Sequence, residues 1–237
     1  MNKAVKSYLE NIYKSSAHLN HRNIFSLTEK NEEARLLDLG CDDGEITNLL
    51  AHHIGTSKVF GVEIVEDRIR LAAQNGVTVK KFDLNDTFVF EDGFFDVVHA
   101  NQVIEHIQNG DNFISEIYRI LKPGGYAIIS TENASSWCNI FASTMGWQIF
   151  SLTNISSKKP SIGNPFALHR EGVSNMASWN HTRIYNISGL KEHLEIFGFA
   201  VEAIRGSGYF PLPSVLGDLD KTHSHFMTFK IRKPEAI

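Results

Sequence analysis

The sequence predicts an α/β fold: a mostly parallel sheet of seven strands with helices on both faces and an antiparallel last strand. Three observations predict it. Apolar strand segments alternate with helical-period segments between residues 35 and 131, the pattern of a parallel sheet covered on two sides. The first strand, Arg35-Leu36-Leu37-Asp38-Leu39, runs through the glycine-bounded turn Gly40-Cys41-Asp42-Asp43-Gly44 into a helix. Two more strand segments close the chain across the Gly/Pro-rich stretch 206–217, a connection suited to an antiparallel pair.

Each element has its own signal. Val5, Tyr8, Leu9, Ile12 and Tyr13 fall on one helical stripe, so residues 3–15 predict an amphipathic helix ahead of the sheet. Strand 35–39 leads to helix 45–54, with Ile46, Leu49, Leu50 and Ile54 expected inward. Strand 58–64 leads to helix 66–75, and strand 77–82 follows. Asp92-Gly93 is a turn before strand 94–100. Phe113, Ile117, Ile120 and Leu121 mark helix 111–121, which Lys122-Pro123-Gly124-Gly125 ends before strand 126–131. After Asn133 the regularity breaks. Residues 134–186 form an aromatic-containing insertion, in which Trp137, Ile140, Phe141 and Met145 are spaced to share one helical face. Excursions of this length are usually functional. Ser188 is the expected N-cap of the next helix, which Leu190, Leu194 and Phe197 line and Gly198 ends. Strands 199–205 and 223–232 complete the chain. The expected organisation is one domain over 1–237, with a helical cap segment over 1–30 and a lid over 134–186.

Composition narrows the function classes. The net charge is −4, with 42% hydrophobic and 21% charged residues, as in a globular protein with no basic field for nucleic acid. The two cysteines, Cys41 and Cys138, give no disulfide framework. No apolar stretch follows the N-terminal lysines and none is long enough for a membrane span, so a cytoplasmic location is expected.

The turn carries most of the chemical information. Gly40 supplies a positive φ and Gly44 permits close approach of a ligand or another backbone, at a helix N-terminus that offers amide groups. Yet Asp38, Asp42 and Asp43 crowd the turn. They would repel a phosphate and attract a cation, which disfavours a dinucleotide and favours S-adenosylmethionine, a sulfonium and ammonium compound without phosphate.

Four landmarks occur in order: Asp38-Leu39-Gly40-Cys41-Asp42-Asp43-Gly44; Glu63 at the end of the second strand, next to Ile64; Lys81-Phe82-Asp83-Leu84-Asn85; and Phe95-Asp96-Val97-Val98-His99-Ala100-Asn101-Gln102-Val103-Ile104-Glu105-His106-Ile107, followed by Leu121-Lys122-Pro123-Gly124-Gly125. Over residues 35–132, and more loosely 185–232, the chain resembles the class I S-adenosylmethionine-dependent methyltransferases that act on small molecules, those of quinone biosynthesis in particular. The resemblance implies a Rossmann-like fold and S-adenosyl-L-methionine as cofactor, with S-adenosyl-L-homocysteine as product. It implies that Gly40 and Cys41 offer backbone to the methionine part and that Asp38 and Asp42 face its ammonium. Glu63 would accept from the ribose hydroxyls, as acidic strand ends do in dinucleotide folds. Asp83 would accept the adenine amino group, and the Leu84 amide would donate to the ring. Asn101, Gln102 and Val103 would lie where the methyl group points. Asp42 stands where the family usually has glycine. Asn101-Gln102-Val103-Ile104 lacks the prolines of DNA amino-methyltransferases, which argues against nucleic acid as the acceptor.

Two histidines are candidate proton acceptors. His106 follows Glu105 in the fourth landmark, and His181 lies in Asn180-His181-Thr182-Arg183-Ile184-Tyr185, at the end of the insertion. A neutral imidazole suits removal of a hydroxyl proton near neutral pH. The competing readings are that His106 organises its loop and that His181 pins the lid. The pairs His18/His21, His52/His53 and His223/His225 have no clustered carboxylate or cysteine in sequence, so no metal is expected. The acceptor expected from the aromatic insertion is a small, moderately apolar or glycosidic molecule, methylated on an oxygen, or on a nitrogen or carbon. The rival functions are a cofactor-binding protein without catalysis and, less favoured, a nicotinamide-dependent oxidoreductase.

Overall fold

The computed structural model describes residues 3–158, 161–167 and 179–235. Its helices are α1 (Lys3–Ser26), α2 (Glu45–Ile54), α3 (Glu66–Gln74), α4 (Gly110–Ile120), α5 (Trp137–Thr144), α6 (Ile187–Ile196) and α7 (Leu216–Leu219). Its strands are β1 (Arg35–Leu39), β2 (Lys58–Val62), β3 (Thr78–Lys80), β4 (Phe95–Asn101), β5 (Leu121–Glu132), β6 (Ala200–Ser207) and β7 (Phe226–Arg232). They form one seven-stranded sheet in the order β3-β2-β1-β4-β5-β7-β6. The pairs from β3 to β5 are parallel, and β7 runs antiparallel to both β5 and β6. This is the Rossmann-like architecture expected from the sequence.

Period-two alternation distributes the core between the two faces. Leu36 joins Ile24, Leu50, Ile54 and Val97 on one side. Leu37 and Leu39 join Ile114, Ile117, Leu190 and Phe229 on the other. The strand order reverses between β1 and β4. At such a point the loops leaving the strand carboxyl ends diverge and open a crevice. Here those loops begin at Gly40 and at Gln102.

Several boundaries differ from expectation, each for a physical reason. The first helix runs to Ser26 rather than ending near residue 15. Its buried stripe continues through Ile12, Ser16, Asn20 and Ile24, and the apolar pattern lapses where two of those buried residues are polar. β2 ends at Val62 because the Glu63 side chain takes the Ile64 and Val65 amides and turns the chain. β5 begins at Leu121: Leu121 pairs with Phe95, Tyr126 pairs with Val97, and the intervening Lys122–Gly125 forms an irregularity inside the strand. The N-cap of α6 is Asn186, whose side chain accepts from the Gly189 amide, and Ser188 lies within the first turn. The side chain of Val5, residues 159–160 and residues 168–178 of the expected insertion lie outside the described residues. Among the described residues no helix is long and apolar enough to cross a membrane.

Candidate active site

A cavity of about 1470 Å³ opens at the crevice between the carboxyl ends of β1 and β4. One wall comes from the loops after β1, β2, β3 and β4, and the other from α1, α5, the segment 179–182, the loop after β6 and His225.

The turn after β1 is built from inside. Asp38 is buried and lies off the cavity wall. Its Oδ2 accepts from the Thr47 hydroxyl (2.5 Å) and its Oδ1 lies 2.7 Å from His99 Nδ1. The expectation that Asp38 faces a ligand ammonium is therefore corrected: its carboxylate ties β1 to α2 and β4. The backbone amides of Gly40 and Cys41 both donate to the Val62 carbonyl (2.9 and 3.0 Å), so they are not free donors. Cys41 is buried, and burial pushes its thiol well above the ordinary range. Gly44 caps α2 at φ 82°, packed so closely that a Cβ there would meet Val77 Cγ2 at 2.9 Å. Gly40 and Asp42 are the turn residues that reach the cavity. Gly40 has φ 73°, and a Cβ on it would meet Val103 Cγ2 at 2.8 Å. Asp42 also holds a positive φ, 48°, and pairs with Arg68 Nε at 3.0 Å. Burial raises the Asp42 carboxyl although Arg68 opposes the shift.

Glu63 joins the loops after β1 and β2. Its Oε1 accepts from the amides of Ile64 (2.7 Å) and Val65 (2.9 Å), and its Oε2 accepts from the Asp42 amide (3.1 Å). These bonds fix the carboxylate at the cavity edge beside Ile64. Asp83 is exposed there, with Oδ1 accepting from the Asn85 amide and side chain, and Leu84 lies beside it on the wall.

The end of β4 carries Asn101, Gln102 and Val103 to the cavity. Asn101 Oδ1 accepts from Asn20 of α1 (3.0 Å), and Asn20 Oδ1 accepts from Ser130 and Thr228 (2.9 and 2.8 Å). Gln102 sits at φ 57°, with its amide on the Ser130 carbonyl (2.8 Å). Its side-chain Nε2 is shielded from solvent and has no partner.

The opposite end is polar at its base and aromatic on its walls. His106 and His181 meet edge to face with ring centres 4.7 Å apart. His106 Nδ1 lies 3.2 Å from the Asn180 carbonyl and His181 Nδ1 lies 2.6 Å from the Ser151 carbonyl. A carbonyl only accepts, so each ring carries a proton on Nδ1, and Nε2 is the atom that holds the lone pair in a neutral ring so fixed. Burial, reinforced by His181, pushes the His106 imidazole down to about 4. Glu105 lies beneath, with Oε2 accepting from Thr131 (2.9 Å) and Oε1 unpartnered. Burial pushes its carboxyl up to about 8. Glu105, His106 and His181 each bring a donor atom within 4.8 Å of the others, a gathering the sequence pairs did not suggest.

Sequence reasoning omitted Glu132, His225 and Arg68 from the site, and Glu105 entered it only as a neighbour of His106. The strand-end rule offered one signal for Glu132, the last residue of β5. His225 had none, because it arrives from the loop before β7. Trp137, Phe141 and Trp179 are half-exposed and line the cavity, so the apolar face of α5 forms part of its wall.

Known proteins resemble this chain in sequence and share its fold. A model of the methyltransferase domain matches residues 8–204. A mitochondrial ubiquinone biosynthesis O-methyltransferase of Rattus norvegicus is 26% identical over 211 residues, 84% of this chain and 53% of that protein. An uncharacterized methyltransferase of Schizosaccharomyces pombe is 31% identical over 116 residues, 44% of this chain and 42% of that protein. The chain thus spans about half the length of these relatives. The crystal structure of an S-adenosylmethionine-dependent methyltransferase from Mesorhizobium loti superposes with TM-score 0.60 at 18% identity, covering 92% of this chain and 97% of that one. The chain belongs to the methyltransferase-domain family of class I, whose cofactor is S-adenosylmethionine.

Proposed function

We propose that this chain transfers the methyl group of S-adenosylmethionine to a hydroxyl of a small, moderately apolar acceptor held in the aromatic end of the cavity. The observation that carries the reading is the pair of Nε2 lone pairs on His106 and His181, fixed by the carbonyls of Asn180 and Ser151 at the base of that end. A hydroxyl needs a proton acceptor near the reacting oxygen, and a low-pKa imidazole stays neutral to serve as one. The rat relative's name, an O-methyltransferase of ubiquinone biosynthesis, supports an oxygen acceptor.

The residues of the other end fit the cofactor. Asp42, Glu63 and Asp83 line it, and Arg68, already paired with Asp42 and Asp43, is the cation among its described wall residues. That charge set admits a ribose, an amino group and an ammonium, and offers little to phosphates. The unpartnered Gln102 Nε2 is a donor awaiting an acceptor. In this reading Glu63 holds the ribose, Asp83 and Leu84 the adenine, Gly40 and Asp42 the methionine part, and Asn101 to Val103 the boundary with the acceptor. When bound, S-adenosylmethionine supplies a methyl group already activated by its sulfonium. The chain then has to orient the acceptor, exclude water and receive a proton at Nε2 of His181 or His106. Orientation alone supplies as much as ~7–11 kcal/mol in well-aligned systems. The segment 134–186 and α1 serve as the lid that holds the acceptor.

Calorimetry with S-adenosylmethionine and with NAD, followed by transfer of a labelled methyl group into a panel of phenols and catechols, tests the reading. Binding of S-adenosylmethionine alone and label in an aromatic hydroxyl are expected. Binding without transfer into any hydroxyl compound would leave the non-catalytic reading in place.

A further inference from the structure

The acceptor end carries a charge pattern that the proposed reaction does not require. Glu132 closes β5 at its base, and its Oε2 is shielded from solvent with no hydrogen-bond partner. Glu105, 1% exposed, presents a second unpartnered oxygen, Oε1, on the same wall. His225, 6% exposed, adds an unpartnered Nε2, while its Nδ1 faces the Cys138 thiol at 3.5 Å. Among the described wall residues the only lysine or arginine is Arg68, at the cofactor end and paired there.

A shielded carboxylate without a cation is costly, because lost hydration is not replaced. The two carboxyls resolve this differently. Burial keeps Glu105 largely protonated, with a pKa of about 8. Burial also acts against ionised Glu132, but His225, His181, the Ser151 hydroxyl and His106 outweigh it and hold the carboxyl below the usual range. His106 and His225 are themselves depressed by burial, and no lysine or arginine among the described wall residues faces Glu132. Glu132 thus brings a carboxylate oxygen without a hydrogen-bond partner to a chamber whose described walls offer it no lysine or arginine.

We propose that this chamber selects acceptors bearing a basic nitrogen, which Glu132 meets as an ammonium, and that Glu132 is the residue setting the preference. The inference rests on the reading of this end as the acceptor chamber. The walls supply what an arylalkylamine needs: Trp137, Phe141, Phe150 and Trp179 for the ring, and a carboxylate at depth for the charge. An ammonium there replaces lost hydration with charge-assisted hydrogen bonds. A carboxylate-bearing acceptor meets like charge instead, and a neutral one leaves Glu132 Oε2 unpaired.

Three probes sharing one phenol separate these cases: tyramine, 4-ethylphenol and 3-(4-hydroxyphenyl)propionate. Each is titrated by calorimetry into the full chain saturated with S-adenosylhomocysteine, in EDTA. Tyramine is expected to bind at least ~10-fold more tightly than 4-ethylphenol, with the propionate weakest. Glu132→Gln should abolish the tyramine advantage and leave S-adenosylhomocysteine affinity unchanged, which also shows that the variant folds. Glu105→Gln should keep most of the advantage. No preference for tyramine in the parent chain, binding of none of the three included, overturns the proposal, as does a preference that survives Glu132→Gln. Mg²⁺ titrated alone provides a control. Heat that Glu132→Gln removes, with tyramine silent, assigns the charge to a metal ion and overturns the ammonium. Failure of S-adenosylhomocysteine to bind the parent chain would instead remove the underlying methyltransferase reading.

Discussion

The two ends of the cavity are assembled in different ways. The cofactor end comes from consecutive strand–loop units between Gly40 and Val103, each loop leaving the carboxyl end of its own strand. The acceptor end gathers Leu9 and Tyr13 of α1, Glu105 and His106, Glu132, α5, residues 179–182, the loop 209–212 and His225. Local backbone chemistry dictates the first: Gly40, Asp42 and Gln102 all hold positive φ, and Glu63 fastens three amides. Long-range packing dictates the second. A site whose geometry is local is expected to tolerate changes in the lid, whereas a site assembled from distant segments is expected to fail when one segment is lost.

The sharpest way to break this comparison is to disable the acceptor end alone. His181→Ala removes the Nε2 beside His106 and the bond to the Ser151 carbonyl. Once an acceptor is in hand, kcat should fall by roughly 10²–10⁴-fold, the usual contribution of a positioned base. S-adenosylmethionine affinity by calorimetry should stay within experimental error. A parallel loss of cofactor affinity would show that the two ends are one energetic unit.

The reverse perturbation is Glu63→Ala. It removes the proposed ribose acceptor and strands the amides of Asp42, Ile64 and Val65. Hydrogen bonds to a charged group are worth about 1.5–3 kcal/mol, so cofactor affinity should fall roughly 10- to 150-fold. The circular dichroism spectrum should remain that of the folded chain. Unchanged affinity would remove Glu63 from the cofactor site.

The same contrast explains what the sequence revealed. The sheet, its antiparallel last strand and the landmarks around Gly40, Glu63, Asp83 and Asn101 were legible because each is a local pattern at a strand end. Asp38 was misjudged because sequence does not say which side of the turn a carboxylate takes, and Thr47 and His99 draw it inward. Glu132 and His225 were missed because they meet only after β5 and β7 pair, with Glu132 opposite Phe226 in the register. The length of α1 was missed because its inner stripe is polar where it crosses the sheet. Ser16 meets Ser214, and Asn20 meets Ser130, Thr228 and Asn101. Polar residues that are satisfied only by long-range partners look like a solvated face in sequence.

Asn20 is the point where the two ends are coupled, since it joins α1 to Asn101. Asn20→Leu removes the Asn20 bonds to Ser130, Thr228 and Asn101: Ser130 and Thr228 keep only each other, at 3.2 Å, and Asn101 Oδ1 loses its donor. Each group so stranded costs about 1–3 kcal/mol. Urea denaturation should show a lower midpoint at unchanged m-value, and turnover should suffer more than cofactor affinity, because Asn101 loses its anchor. A midpoint equal to that of the parent chain would mean that water replaces the amide and that α1 is held by its apolar residues alone.

The smallest effect belongs to His225, and its sign follows from burial. The ring is packed against Phe226 and Phe210, with centroids at 4.4 and 5.1 Å. Burial lowers its pKa below the ordinary 6.5, and Glu132 opposes the shift without reversing it. The native state therefore keeps the ring neutral at pH values where the unfolded chain has taken up a proton. Stability is fully present above about 6.5, the unfolded value, and is lost as the pH falls towards the depressed folded value. His21 is depressed by burial too and contributes in the same direction. His106 is depressed in the same way, whereas Glu105, raised from 4.5 to about 8, keeps its proton in the native state and acts with the opposite sign across this window. The ion-paired carboxyls Glu29 and Glu202 are held below their ordinary 4.5, so their contribution is lost at lower pH. Replacing His225 with Gln removes one titrating group. The slope of unfolding free energy against pH just below 6.5 should become shallower by up to about 1.4 kcal/mol per pH unit, the limit for one proton. His21, His106 and Glu105 titrate alike in both chains, so the readout is the difference between the two slopes. An unchanged slope would mean that His225 is protonated in the native state with Glu132 as its counter-ion. The chamber would then hold its own cation and have no need of one from the acceptor.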